Sequence, residues 1–296
     1  MEGKLDRENK RFRLKDGRHL GYTIVGKGKP VFYFHGTASS RLEALLFDNP
    51  VLTSEFQIVG IDRPGYGLST FCPRKNLQDF AYDLNQLADH LGFTEFALLG
   101  WSGGGPFLLA YLALFPKKVT SALIASSPNL PFNVAEAHNN PLAKYAMRFP
   151  FLGKLALRRF ENFVLNANCD INKFLNSRTG KNYLAGWPQE DRKFFANPFW
   201  LALMMHSIAE GFRQRNIAIE TVFQEHQLFL RSWDFSLSQI QGSKLHIWQG
   251  TEDKTCRTDN AFMIAEMIPD AKKEIFEGKG HCVIFDHLNR INKILI

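Results

Sequence analysis

Cysteine is scarce and scattered. The 296 residues hold four, at positions 72, 169, 256 and 282, and no Cys-x-x-Cys pair occurs. That pattern suits free thiols in a reducing compartment rather than a disulfide framework. Long apolar runs are missing as well; none approaches the roughly 18 residues of a membrane span. The first ten residues, Met1 to Lys10, are charged and lack the apolar stretch of a secretory signal. A cytoplasmic location is therefore expected. No internal repeat and no low-complexity segment is present. Acidic residues are in deficit, 29 against 36 Lys and Arg, for a net charge of +7. Part of the excess lies in the first eighteen residues and part between Lys144 and Lys193. Such a surface attracts acidic partners, but no nucleic-acid motif accompanies it. It is read as a solvated basic face, and no nucleic-acid partner is expected.

Metal-ligand spacings are absent too. There is no His-x-His, no His-Glu-x-x-His and no paired cysteine. Neither a metal nor any other cofactor is expected. Glu225-His226 reads as a surface pair, and Cys282 as a buried thiol.

What is present is an ordinary globular balance, 45% hydrophobic and 22% charged. The length allows one large α/β domain with an insertion, or two modest domains. Phe12 to Val25 reads as a hairpin about Lys15-Asp16-Gly17. Val31–Phe34 and Phe56–Ile61 read as buried strands. Leu77, Phe80, Ala81, Leu84, Leu87, Ala88 and Leu91 recur at the spacing of one helical face, with Asn76 placed to cap it. The strands Phe96–Leu99 and Ser121–Ala125 flank a long apolar helix. Strand signal then stops from about Pro128 to Leu237, where helical stretches dominate. It resumes with Leu245–Trp248, a helix around Ala261–Ile268, the strand Glu274–Phe276 and a last helix from about Val283. Strand–helix alternation implies a mostly parallel sheet. The expected division is a core of 1–127 and 238–296 with a helical cap, 128–237, inserted between two strands.

In such sheets sites gather at the carboxyl ends of the strands. Gly100-Trp101-Ser102-Gly103-Gly104 lies at one of them, on a sharp strand-to-helix turn. A serine hydroxyl becomes a nucleophile when it is exposed, near a base and backed by oxyanion donors. The flanking glycines let strand and helix approach closely and lift Ser102 out of the sheet. A dinucleotide fingerprint would place glycine at 102 and an acid about 20 residues later, where Ala122–Ser127 offers none. A phosphate loop would need Gly-Lys-Ser/Thr, which is missing.

Asp253 follows the Leu245–Trp248 strand and His281 follows Phe276, giving the order Ser102, Asp253, His281. Of nine histidines, only His281 sits in a glycine-flanked loop directly after a core strand. Glu252 and Asp62 compete with Asp253, but the first lies inside the turn and the second opens a different loop. An imidazole takes and returns the serine proton, and a carboxylate fixes its tautomer. The oxyanion would be held by the backbone amides of Gly103 and Thr37, with His35 supporting the Thr37 loop.

Together these pieces resemble the α/β-hydrolase fold family, in its capped serine hydrolase branch. The matching segments are His35-Gly36-Thr37, Asp62-Arg63-Pro64-Gly65-Tyr66-Gly67-Leu68-Ser69, Gly100 to Pro106, Gly250-Thr251-Glu252-Asp253 and Gly280-His281. Ser232 to Leu237 looks like the re-entry from the cap. The resemblance covers about 180 residues of core. It implies an eight-stranded sheet, flanked by helices, with its second strand antiparallel, and a Ser-His-Asp triad. Members often carry Val-Pro a few residues after the acid, where this chain has Cys256-Arg257. Serine at the nucleophile position argues against the branches that use aspartate.

The expectation is a hydrolase that cleaves an ester or related acyl bond of a small, partly apolar substrate. Phe149, Phe151, Leu152, Leu155, Phe160 and Phe163 are candidates to line an apolar cavity under the cap, or else to pack its helices together. Carbon–carbon hydrolysis, removal of N-terminal proline, and ligand binding with little turnover are the alternatives on the same core. Contact of the Lys144–Phe163 segment with a membrane surface is the less favoured reading. The oligomeric state stays open.

Overall fold

The computed structural model describes residues 9–73, 76–127 and 149–295. The expectations placed on 1–8 and on 128–148 lie outside these residues. Eight strands form one sheet: β1 (Lys10–Arg13), β2 (His19–Gly26), β3 (Lys29–Phe34), β4 (Phe56–Ile61), β5 (Phe96–Trp101), β6 (Val119–Ala125), β7 (Leu245–Gly250) and β8 (Lys272–Phe276). Their spatial order is β1-β2-β4-β3-β5-β6-β7-β8. β2 runs antiparallel to both β1 and β4, and every other pairing is parallel.

The strand residues explain why both faces are covered. In β3, Phe32 and Phe34 enter one core cluster, while Val31 and Tyr33 enter the other. β5 divides likewise, with Leu98 on one side and Ala97 and Leu99 on the other. Side chains alternate across a strand, so an unbroken apolar run needs helices above and below it. α1 (Gln78–His90) and α2 (Gly105–Leu114) cover the first face. Asn76 does cap α1, its Oδ1 accepting the Asp79 amide at 2.9 Å.

Between β6 and β7 the described residues form six α-helices and no strand: α3 (Pro150–Cys169), α4 (Ile171–Asn176), α5 (Arg178–Ala185), α6 (Gln189–Ala196), α7 (Pro198–Gly211) and α8 (Asn216–Phe229). This insertion is bolted to the core near the strand ends. Ser207 of α7 pairs with the Ser39 and Ser40 hydroxyls at 2.9 and 3.0 Å. After β7 come α9 (Thr258–Met267) and, beyond β8, α10 (Leu288–Leu295). Ile291 and Leu295 of α10 fill the second cluster. No helix among the described residues is long and apolar enough to cross a membrane.

The turn after β5 depends on a close approach at Gly104. A Cβ there would collide with the Phe34 carbonyl of β3. Gly104→Ala is therefore expected to destabilise the protein by about 1–3 kcal/mol, the usual range for overpacking a tight core. A urea denaturation midpoint equal to that of the parent would contradict this.

Candidate active site

Ser102 stands at the carboxyl end of β5 and opens a single 3₁₀ turn, Ser102–Gly104, that leads into α2. Its φ is +50°, in the left-handed region that a serine rarely adopts. Backbone strain of this kind is held only where the surroundings over-determine it. Here a fully buried strand precedes the residue and a helix buried on nearly all sides follows it. The result is a half-buried hydroxyl raised above an otherwise closed floor.

Asp253 and His281 meet beside it. The loop after β7 carries the acid and the loop after β8 carries the imidazole. His281 Nδ1 donates to Asp253 Oδ2 at 2.9 Å, with both side chains buried. The other contacts of the carboxylate fix its direction. Oδ1 accepts the backbone amides of Thr255 and Cys256, each at 2.8 Å, and Oδ2 accepts Gln249 Nε2 at 3.1 Å. Burial resists charge on both partners, but each stabilises the charge of the other. The imidazole pKa stands well above its ordinary value, and the carboxyl pKa below its own. Glu252 makes no such contact: its amide bonds the Lys279 carbonyl, as a turn residue does.

Among the described residues no direct hydrogen bond joins Ser102 to His281. The Cys256 thiol lies in polar contact with both, and burial pushes its pKa up. Cys256 thus occupies the place where the resemblance led one to look for Val-Pro, and its amide helps to hold the acid. Asp253, Cys256 and His281 present donor atoms within 4.8 Å of one another and are the group that could hold a metal ion. Short-range spacing patterns do not register this set, because it comes from two loops.

Thr37 and Gly103, the two residues expected to hold an oxyanion, lie side by side. A Cβ on Gly103 would stand 2.9 Å from the Thr37 amide nitrogen, so the two backbones are in near contact. His35 supports this loop as expected. It is fully buried, its Nδ1 bonds the Gly36 carbonyl at 2.7 Å, and its Nε2 accepts the Arg63 amide at 3.4 Å.

Besides Tyr66, three side chains outside the expected set complete the site. Arg63 donates to the His35 and Gly36 carbonyls and pairs with Glu225 of α8 through Nε–Oε1 at 2.5 Å and Nη2–Oε2 at 3.0 Å. Tyr66 also donates to Glu225, at 2.7 Å. Glu225 is therefore no surface residue: it is 1% exposed, and the surface-pair reading is corrected. Charge next to histidine on a polar stretch looks solvated in sequence, and only the packing of α8 on the Arg63 loop reveals otherwise. Asp191 of α6 is the third, buried against the His281 loop.

The apolar cap residues also depart from expectation. Phe149, Phe151, Leu152, Leu155 and Phe160 are 37–78% exposed, so the described residues do not enclose them in a cavity. Phe160 and Phe163 do pack between helices, the first against Phe212 and the second against Phe174 and Tyr183. A cleft of about 480 Å³ opens between α3, α4 and α5, lined by Phe163, Lys173 and Phe174 among others, and does not include Ser102.

Residues 29–288 match the family model of the alpha/beta hydrolase fold. The chain belongs to the alpha/beta hydrolase fold family. This alpha/beta hydrolase is 31% identical over 267 residues to a pimeloyl-[acyl-carrier protein] methyl ester esterase of Legionella pneumophila (strain Corby), covering 88% of this chain and 91% of that one. It is also 28% identical over 112 residues to the uncharacterized hydrolase YcgS of Bacillus subtilis (strain 168), a match that spans 38% of this chain and only 39% of that protein. An alpha/beta hydrolase fold protein from Nakamurella multipartita superposes with a TM-score of 0.70 at 17% identity, covering 97% of this chain and 98% of that one, which shows the shared fold.

Proposed function

We propose that the protein is a serine hydrolase that cleaves a carboxylic ester, or a related acyl bond, of a small and partly apolar substrate. The observation that carries this reading is the strained Ser102 at the end of β5, beside a buried imidazole–carboxylate pair. Ser102 Oγ attacks the acyl carbon while His281 Nε2 accepts its proton. The Thr37 and Gly103 amides hold the oxyanion that forms. His281 then protonates the departing alcohol, leaving an acyl-serine. Water attacks that ester, giving its proton to His281, and the acid leaves as the Ser102 hydroxyl is restored. Asp253 keeps the Nδ1 proton in place throughout. Ser102 and His281 share no direct hydrogen bond, and catalytic hydrogen bonds commonly tighten only when substrate binds. No cofactor is called for. The 31% identical esterase relative supports an ester over other acyl bonds.

A fluorophosphonate probe tests the reading. Peptide mass spectrometry is expected to find the label on Ser102, and turnover of nitrophenyl esters is expected to rise as the acyl chain lengthens. A label on another residue removes Ser102 as nucleophile. Turnover confined to amides or to carbon–carbon substrates, with esters inert, assigns the site to a different branch of the family.

A further inference from the structure

α6 carries a carboxylate with no place in the reaction above. Asp191 is 1% exposed. Its Oδ2 accepts the backbone N–H of His281 at 2.8 Å, and its Oδ1 accepts that of Cys282 at 2.8 Å. Both oxygens are thus committed to the loop that bears the imidazole. Two successive amides held by one carboxylate leave the peptide planes on either side of the His281 Cα little freedom, and the direction of its Cα–Cβ bond is set with them. The approach is close enough that a Cβ on Gly280 would collide with the Asp191 carboxylate.

The same helix grips the loop elsewhere. Glu190 pairs with Lys279 at 3.0 Å, just before the histidine. Phe194 stacks on Phe285, with centroids 4.9 Å apart. Phe285 in turn meets Trp101 at 5.0 Å, and Trp101 meets the His281 ring at 5.0 Å. Trp101 Nε1 also donates to the His281 carbonyl at 2.9 Å. The histidine backbone is therefore fixed at its N–H by the inserted helices and at its C=O by the strand that bears Ser102.

We propose that Asp191 is a positioning residue for the reaction: by clamping the His281 and Cys282 amides it aims the imidazole at Ser102. The competence of the base then depends on how α6 is seated on the core. The inserted helices are in that case part of the catalytic assembly rather than only a roof over it. This inference rests on the reading of His281 as general base.

The test uses the full chain with Asp191→Ala, Asp191→Asn and Gly280→Ala. Four quantities are followed: the fluorophosphonate labelling rate, kcat and KM on a nitrophenyl ester, the downfield Nδ1 proton resonance of His281, and the thermal midpoint. Asp191→Ala and Gly280→Ala are expected to slow labelling and lower kcat by about 10- to 100-fold, as small displacements of a catalytic group do. KM is expected to change by less than about twofold, because Asp191 touches no substrate. The resonance should broaden or vanish. Asp191→Asn keeps the volume and one acceptor, and should fall between these variants and the parent.

A lowered thermal midpoint with parental labelling rate and a sharp resonance would make Asp191 a structural residue only and overturn the proposal. If the alanine variant does not fold, Asp191→Asn decides by the same readouts. Should the parent not label at Ser102, the hydrolase reading fails. The resonance, which needs only the His281–Asp253 bond, would still judge the clamp.

Discussion

Replacing Asp253 by Asn is expected to lower kcat by about 10³- to 10⁴-fold while leaving KM nearly unchanged, the loss seen when a triad carboxylate becomes an amide. The hydrogen bonds around this side chain say why. All four of its partners are donors: Thr255 and Cys256 amides on Oδ1, His281 Nδ1 and Gln249 Nε2 on Oδ2. An asparagine must turn its NH₂ toward one pair or the other. Facing His281, it drives the imidazole to the tautomer with Nδ1 bare and the proton on Nε2, where it cannot accept from Ser102. Facing the loop, it confronts two backbone N–H groups and unsettles the acid turn. The pH dependence changes with it. In the parent, Asp253 holds the His281 pKa well above its ordinary 6.5 against the pull of burial. Activity needs the neutral ring, so it falls as pH drops through that raised value. Without the carboxylate charge, burial prevails and the acid limb moves to lower pH. Profiles of kcat against pH for the two proteins would show the shift, and a limb in the same place would refute the pairing.

The same pair ties stability to pH from both sides. The Asp253 contribution is present above the unfolded value of 3.8 and is lost as pH falls through its lowered folded pKa. The His281 contribution is present below 6.5 and is lost as pH rises through the raised folded pKa. Between these limits the pair contributes fully.

The architecture was legible because it is written in local patterns. An apolar run of strand length that ends in a glycine-flanked polar residue marks both a buried strand and the end where chemistry gathers. β3, β4, β5 and β7 were each recognisable in this way, and with them the stations of Thr37, Ser102 and Asp253; β8, charged at its start, was marked only by its apolar end and the glycines before His281. The hairpin turn at Asp16-Gly17 made β2 antiparallel to β1, but its antiparallel pairing with β4 came only from the family likeness, because a strand shows no direction in its own residues. The buried acids were hidden for a different reason. Glu225 and Asp191 sit on helices of mixed polarity, next to residues that point to solvent. Each is buried by a partner more than 85 residues away in the chain, Arg63 in one case and the His281 loop in the other. No periodicity within the helix reports that partner. The exposed Phe151 and Leu152 show the converse. An apolar composition promised a cavity lining, and the helix turns that face outward.

Removing the Glu225 carboxylate is expected to cost the largest share of stability of any single change outside the sheet. Arg63 is fully buried and its guanidinium serves two masters: the Glu225 carboxylate, and the His35 and Gly36 carbonyls. Burial alone would disfavour its charge, and Glu225 outweighs that penalty. In Glu225→Met the cation stays buried among carbonyl oxygens and the Tyr66 and Phe107 rings but without its anion, and the Tyr66 hydroxyl loses its bond to Glu225. Breaking a buried pair from one side costs about 3–5 kcal/mol, whereas replacing both partners with apolar residues of similar volume costs far less. Urea denaturation of Glu225→Met, Arg63→Met and the double variant therefore forms a cycle. Each single change is expected to lower the midpoint sharply, and the second change to recover much of the loss. Activity is expected to follow a different course. The double variant regains stability but not kcat, because the Arg63 guanidinium no longer holds the His35 and Gly36 carbonyls that set the Thr37 amide. Additive losses in the cycle would mean that the two charges do not depend on each other, and a double variant with parental kcat would release the oxyanion loop from any dependence on α8.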